Sequence, residues 1–393
     1  MSDLVVVAMS GGVDSSVAAA LLKEQGYEVV GVTLNVWPET NLVEADTRHN
    51  ACCSLESVED ARRVADLLGI PHYTLNFREV FEQTVIQDFL QEYLRGRTPN
   101  PCVRCNRFVK FEALMAKARS LGAEYLATGH YARIGRLALG RHTLHKAVDL
   151  SKDQSYALSY LTQEQLAHTL FPLGELEKAE TRRIAARLGL VTAAKPDSQE
   201  ICFVQGGDYA GFLRSRTPLA ARPGPILNES GEQIGTHPGI AFYTVGQRKG
   251  LGVAAGRPLY VLGIVPERNA IVVGDRERLY SSGLIAEDLN WVSVAQPVEL
   301  MRGAARIRYR AAEVPATARV LEDGGLVVEF DEPQRAVSPG QTVVLYQGDT
   351  VVAGGTIVRA VSDKRSWQKG SGSRASDASE HSVAAWRSER ERG

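Results

Sequence analysis

Over roughly the first 200 residues, short β-branched apolar runs alternate with stretches whose apolar positions recur every three to four residues. That alternation predicts a parallel sheet with crossover helices. Val5 to Met9 reads as the first strand and Ser15 to Gln25, apolar at Val17, Ala20 and Leu21, as a helix ended by Gly26. Glu28 to Leu34 would be the second strand, and Ser54 would cap a helix reaching Leu68. Further strands are predicted over His72 to Asn76 and Glu124 to Thr128, and further helices over Glu79 to Leu94 and Phe108 to Leu121. The expected class is α/β, with a doubly wound parallel sheet over 1–208.

From about Phe212 the pattern changes to short alternating runs separated by Pro-Gly, Glu-Ser-Gly and Gly-Asp turns, with no helix of convincing length. Two small β-rich domains are expected, 209–280 and 281–361, the last a β-barrel, divided where Ser281-Ser-Gly283 interrupts the pattern. Within the barrel, Met301 to Arg310 alternates so that Arg306, Arg308 and Arg310 would share one strand face, a row of charges suited to phosphates. Residues 362–393 are rich in Ser, Arg, Lys, Glu and Gly and predict a disordered tail, in which Trp367 and Trp386 have no assigned role.

The 393 residues are 44% hydrophobic and 23% charged, which excludes collagen-like, coiled-coil and wholly disordered classes. A formal net charge of -1 leaves any nucleic-acid binding to local basic patches. Five cysteines are too few and too odd in number for a secreted disulfide scaffold, so a reducing compartment is expected. The N-terminus has no basic, apolar and small-residue order of a signal peptide, and no apolar run approaches the ~20 residues that cross a bilayer. A cytoplasmic protein with no membrane partner is the expectation.

The strongest chemical signal is Ser10-Gly-Gly-Val-Asp-Ser-Ser16, set between the first strand and the first helix. Adjacent glycines let the backbone approach a phosphate, the serines offer hydroxyls, and the helix N-terminus presents N–H groups to the anion. The loop lacks the lysine of a Walker A site, so γ-phosphate transfer is not its chemistry. It resembles the pyrophosphate loop of the ATP pyrophosphatases, which release pyrophosphate and leave adenylate on an oxygen. A glycine turn capped by serine is the plainer alternative.

An adenylate is useful only when a nucleophile displaces AMP. Cys102 and Cys105 form a C-x-x-C in the arginine-rich segment Arg95 to Lys110, where positive charge and the helix that follows favour thiolate. A zinc half-site, a redox pair and two ordinary thiols are the rival readings. Cys202, between Ile201 and Phe203, reads on its own as a buried hydrophobe, and adjacent Cys52 and Cys53 read as structural.

With Ser10 to Ser16, the segments Arg97-Thr-Pro-Asn-Pro-Cys-Val-Arg-Cys-Asn106, Ala127-Thr-Gly-His-Tyr-Ala132, Lys152-Asp-Gln-Ser-Tyr156, Phe171-Pro-Leu-Gly-Glu-Leu176, Asp197-Ser-Gln-Glu-Ile-Cys-Phe203 and Thr244-Val-Gly-Gln-Arg-Lys-Gly-Leu-Gly252 resemble, in this order, the tRNA-specific 2-thiouridylase family. The resemblance runs from about residue 4 to residue 360. It implies that ATP, as its Mg2+ complex, adenylates the C2 oxygen of wobble uridine 34 in tRNA and that sulfur then displaces AMP to give 2-thiouridine. By the same resemblance, Ala8, Met9, Ser10, Gly11, Gly12, Val13, Asp14, Ser15, Leu34 and Gly129 would hold ATP. Cys202 would carry the persulfide, and Cys105 would be the catalytic nucleophile that closes a transient disulfide with it. Asn100, Pro101 and Cys102 would meet the target base, and His130, Lys152, Asp153, Gln154, Arg308, Tyr309 and Gln341 would touch tRNA. The implied partners are the wobble-uridine tRNAs for Lys, Glu and Gln, and a sulfur donor such as a cysteine desulfurase or a relay protein.

Physical reasoning agrees that a wobble base must leave its stack before C2 can be reached, which suits a basic pocket beside thiols. Gln247-Arg-Lys-Gly250 is a further basic turn suited to RNA. Many relatives carry Asp where this chain has Cys102. The extra thiol opens an alternative in which Cys102, Cys105 and Cys202 ligate a [4Fe-4S] cluster that carries sulfide. Two other functions fit parts of the pattern: a pyrophosphatase acting on a small molecule, and a non-catalytic RNA-binding thiol protein.

Overall fold

The computed structural model describes residues 2–36, 55–197, 201–295 and 300–362. The cap at Ser54, the Cys52-Cys53 pair and the tail with its two tryptophans lie outside the described residues.

The N-terminal part carries β1 (Leu4–Ala8), β2 (Glu28–Asn35), β3 (His72–Asn76), β4 (Tyr125–Thr128), β5 (Ala132–Arg136), β6 (His142–Lys146) and β7 (Thr169–Leu170). The order β3-β2-β1-β4-β7 is parallel throughout, the sheet that the alternating pattern predicts. Both faces are apolar, as a sheet covered by helices requires. Val5 and Val7 of β1 join a core with Val17, Ala61 and Ile184, whereas Val6 points to the opposite core with Phe81, Phe89 and Leu126.

Helix Val13–Glu24 follows β1 directly, starting two residues before the predicted position. Helix Leu55–Leu68 covers the same face. The predicted helix from Phe108 begins earlier, at Pro101, because Asn100 caps it by accepting from the Val103 N–H and Pro101 occupies the first turn. From Cys105 to Leu114 it widens to π-helical hydrogen bonding before running on as Met115–Ser120.

The central module forms the sheet β10-β11-β8-β9 from β8 (Gly224–Leu227), β9 (Gln233–His237), β10 (Tyr260–Val265) and β11 (Ala270–Gly274). It is preceded by helix Tyr209–Arg216, which the sequence pattern did not mark. The last module is a closed barrel of β12 (Tyr280–Trp291), β13 (Leu300–Arg306), β14 (Val314–Val320), β15 (Leu326–Arg335), β16 (Thr342–Gln347) and β17 (Thr350–Val361), sealed where β12 pairs with β17. Ser281-Ser-Gly283 forms a bulge near the start of β12. Leu284, Met301, Ala316, Leu326, Phe330 and Ile357 fill the barrel.

The modules are joined by more than linkers. Hairpin β5–β6 of the N-terminal part adds to the barrel sheet, His145 pairing with Thr350 and Leu144 with Val351. One apolar core runs from Val6 through Leu144 and Tyr156 to Ile226, Val344 and Tyr346. No helix of the described residues is long and apolar enough to cross a membrane.

Candidate active site

Strand order reverses between β1 and β4, and the loop Met9 to Gly12 sits at the carboxyl ends of these strands, where open α/β sheets bind ligands. Ser15 Oγ accepts from the Ser10 N–H at 3.1 Å and lies 3.4 Å from Ser10 Oγ, and the Ser16 hydroxyl donates to the Gly12 carbonyl at 2.8 Å. Gly11 has φ +68°, and a Cβ there would stand 2.0 Å from the Ser57 carbonyl oxygen, so only glycine fits. Gly129, just beyond β4, is equally constrained, since a Cβ would meet the Asp14 carbonyl carbon and the Ser15 nitrogen at 2.6 Å. Met9 and Leu34 complete the rim: the Met9 N–H donates to Val32 O at 2.8 Å, and Leu34 lies near the end of β2. The sequence-predicted nucleotide set, Ala8 to Ser15 with Leu34 and Gly129, is therefore gathered at one edge of the sheet.

Beside the loop lies a network of charges. Lys178 Nζ donates to both Asp14 carboxylate oxygens at 2.7 and 2.8 Å and approaches Asp197 Oδ1 at 2.8 Å. Lys152 and Arg182 reach Asp197 at 2.8 and 3.0 Å, and the Tyr131 hydroxyl donates to Asp14 at 2.9 Å. Partial burial works to raise the Asp197 carboxyl, but the hydrogen bonds and charges of Lys152 and Lys178 outweigh it and hold the group at about 2. Lys195 pairs with Asp60 at 2.8 Å, fastening the same segment to helix Leu55–Leu68.

The thiol-bearing helix is held by the barrel. The Thr98 N–H donates to Pro339 O at 2.7 Å, and Gln341 Nε2 donates to the Thr98 and Pro99 carbonyls at 3.1 Å each. Asn100 hydrogen-bonds the Tyr156 hydroxyl, which donates to Thr342 O at 2.8 Å. Pro101 is buried, Cys102 is exposed, and Cys105 and Cys202 are half-buried, with none of the three thiols in a disulfide. Cys102 stands near Tyr309, whose hydroxyl is shifted up by burial and then by the charges of Asp153 and Cys102, while Gln154 hydrogen-bonds it. Cys202 is anchored through Phe203, which packs edge-on against Phe81 and Phe89 at 5.7 and 5.2 Å.

Behind this helix a cavity of about 230 Å³ is lined by Asp88, Asn100, Arg104, Arg107, Tyr160 and Asp288, with the arginines already paired to Asp88 and Asp288 at 2.8 and 2.6 Å. Among the described residues no group of three His, Cys, Asp or Glu side chains is gathered to hold a metal ion. Cys102, Cys105 and Cys202 as placed here do not fit a [4Fe-4S] cradle.

Several expectations change. The row Arg306, Arg308, Arg310 does not form, because β13 ends at Arg306 and the chain turns, with the Ala311 N–H donating to Arg308 O at 3.1 Å. Arg306 points inward to Asp153 and Glu313 at 3.1 and 2.9 Å. The Asp153 side chain is only 1% exposed and serves that pair. Burial, and then Lys110, push the His130 imidazole well below its ordinary value, and its ring lies near Phe111 and Phe171, both about 6.1 Å away. Arg308 donates to Arg335 O, and Gln341 is occupied with the 98–99 segment. Lys152 and Gln154 are half-buried and Tyr309 is exposed. Arg248 and Lys249 of the basic turn are exposed.

Lys178, Tyr131 and Tyr156 escaped the sequence reading. The one local sign was that Tyr131 and Tyr156 lie within two of the motif segments; nothing near Lys178 marks its contact with Asp14, 164 residues away.

A parallel α/β sheet with a glycine-serine loop at its switch point defines a nucleotide-binding protein of the pyrophosphate-loop class. Three family models match in sequence: a "tRNA methyl transferase HUP domain" over residues 3–206, a "tRNA methyl transferase PRC-barrel domain" over 211–275 and an "Aminomethyltransferase beta-barrel domain" over 281–357. A tRNA-specific 2-thiouridylase MnmA from Symbiobacterium thermophilum is 56% identical over 91% of this chain and 92% of its own length. One from Moorella thermoacetica is 57% identical over 90% of this chain and 98% of its own length. The chain belongs to the tRNA-specific 2-thiouridylase family.

Proposed function

We propose that this protein is a tRNA uridine 2-sulfurtransferase, which uses Mg2+-bound ATP to adenylate the C2 oxygen of the wobble uridine, releasing pyrophosphate, and then replaces that oxygen with sulfur, releasing AMP. The observation that carries this reading is 56% identity across 91% of the chain to a relative named tRNA-specific 2-thiouridylase MnmA. Two features supply the chemistry. Ala8 to Ser15, with Gly129 and Leu34, form an anion-binding loop for the triphosphate. Cys102 and Cys105 lie in the first turns of a capped helix in an arginine-rich segment, a setting that favours thiolate.

In this reading a persulfide on Cys202 attacks C2 through its terminal sulfur and AMP departs with the former C2 oxygen. Cys105 thiolate then attacks the Cys202 sulfur, the S–S bond to the base breaks, and 2-thiouridine leaves as a Cys105–Cys202 disulfide forms. An external dithiol returns both residues to thiols. Asn100, Pro101 and Cys102 frame the base, and His130, Lys152 to Gln154, Arg308, Tyr309 and Gln341 border the tRNA. For the buried members Asp153 and His130, and for Gln341, that contribution is to hold the surface in shape.

The test is an unmodified wobble-uridine tRNA transcript incubated with Mg2+-ATP and a persulfide donor, followed by digestion and nucleoside mass spectrometry. 2-Thiouridine forms with the wild-type protein, and Cys202→Ser lowers it by about a thousandfold. Pyrophosphate release indifferent to tRNA would instead point to a small-molecule substrate, and a methylated uridine would sink sulfur transfer. After anaerobic purification, iron and acid-labile sulfide should be below about 0.1 per chain; about four of each, lost in Cys102→Ala, would replace the persulfide with a cluster.

A further inference from the structure

Lys178 is the first residue of helix Lys178–Arg187 and is 8% exposed. Its backbone N–H is fixed by Asp149 Oδ2 at 3.0 Å, and its ammonium lies 5.6 Å from the centre of the Tyr131 ring. That ammonium touches two carboxylates from separate parts of the chain. Asp14 is the second residue of the helix that opens at the pyrophosphate loop, and Asp197 stands five positions before Cys202. Lys152 and Arg182 also bind Asp197, but among the described residues Lys178 alone of these three also contacts Asp14.

Without the Lys178 ammonium both carboxylates would keep partners: Asp14 the Tyr131 hydroxyl, Asp197 the Lys152 and Arg182 side chains. What would be lost is the link between the loop and the segment leading to Cys202. We propose that Lys178 is a positioning residue that ties the pyrophosphate loop to the Cys202 segment, holding the sulfur-carrying thiol in register with the base adenylated at the loop. The proposal rests on the sulfurtransferase reading above. It predicts a defect in coupling: pyrophosphate is released, but the activated base is lost to water before sulfur reaches it. A misplacement of about 1 Å can cost about a hundredfold in such a step.

The experiment counts 2-thiouridine formed per pyrophosphate released, with full-length protein, tRNA transcript, Mg2+-ATP and a persulfide donor. Lys178→Met lowers that ratio by about tenfold or more, whatever its overall rate, and Lys178→Arg restores most of it. A purely structural role would lower both products together and leave the ratio unchanged, and that result overturns the proposal. If Lys178→Met fails to fold, Asp197→Asn decides: the same fall in ratio supports the link and an unaltered ratio overturns it. Wild-type protein that releases pyrophosphate but forms no 2-thiouridine overturns the sulfurtransferase reading itself, whereas a thiolating wild type with unaltered variant ratios overturns the Lys178 link alone.

Discussion

Asp197 carries an electrostatic load that acid should reveal. Its carboxyl is held at about 2, against 3.8 for an unperturbed aspartate. A carboxyl depressed in the folded state stabilises above its unfolded value and loses that contribution as pH falls through the folded one. Wild-type protein should therefore exceed Asp197→Asn in stability by about 1 kcal/mol near neutral pH, the shift being discounted for solvent screening, and the gap should close as pH falls from 3.8 towards 2. Urea titrations at about pH 7 and about pH 3 would measure it, and a gap unchanged with pH would refute the assignment. At Gly11 the constraint is steric. Gly11→Ala must move either the loop or the Ser57 carbonyl, so KM for ATP should rise about tenfold or more, and an unchanged KM would mean that the loop does not seat the nucleotide.

At the scale of elements, the parallel sheet was legible because its strands are short apolar runs between amphipathic helices, and the period of the pattern changes with the structure. Boundaries followed less well. The helix expected from Phe108 starts at Pro101 because a cap and a proline set its start, and apolar spacing does not register either. β13 misled for a different reason: alternation of Arg306, Arg308 and Arg310 is what a strand would show, but the chain turns after Arg306. The nucleotide loop could be read locally, since its residues are contiguous, whereas the Lys178 contacts and the Gln341 clamp join segments 164 and 243 residues apart. Arg306 offers a check on the corrected picture. Arg306→Met would leave the nearly inaccessible Asp153 carboxylate without its cation, at a cost of about 3 to 5 kcal/mol in urea unfolding; a loss below about 0.5 kcal/mol would mean that Arg306 stands free on the strand face, as the sequence pattern predicts.

For the whole molecule, one apolar core shared by all three modules predicts joint unfolding. A chain ended after residue 280 would uncover Leu144, Tyr156 and Tyr160, which are buried in the complete structure. Such a fragment should bind a hydrophobic dye strongly and melt at least about 5 °C below the full chain, whereas a fragment as stable and dye-silent as the parent would show that the barrel is an independent domain. The same unity explains how the site is built. The barrel contributes the clamp on residues 98–99, and the N-terminal part contributes the loop and the thiols.

The hairpin pairing of β6 with β17 also sets an order of events on the ribosome. Thr350 meets His145 across 205 residues, so at about 5 to 20 residues per second the outer edge of β6 waits about 10 to 40 s for its partner strand. During that interval it is an open template for another nascent chain. A message truncated before Thr350 never closes it, so loss of the final strand would show itself first as insolubility and only afterwards as missing activity.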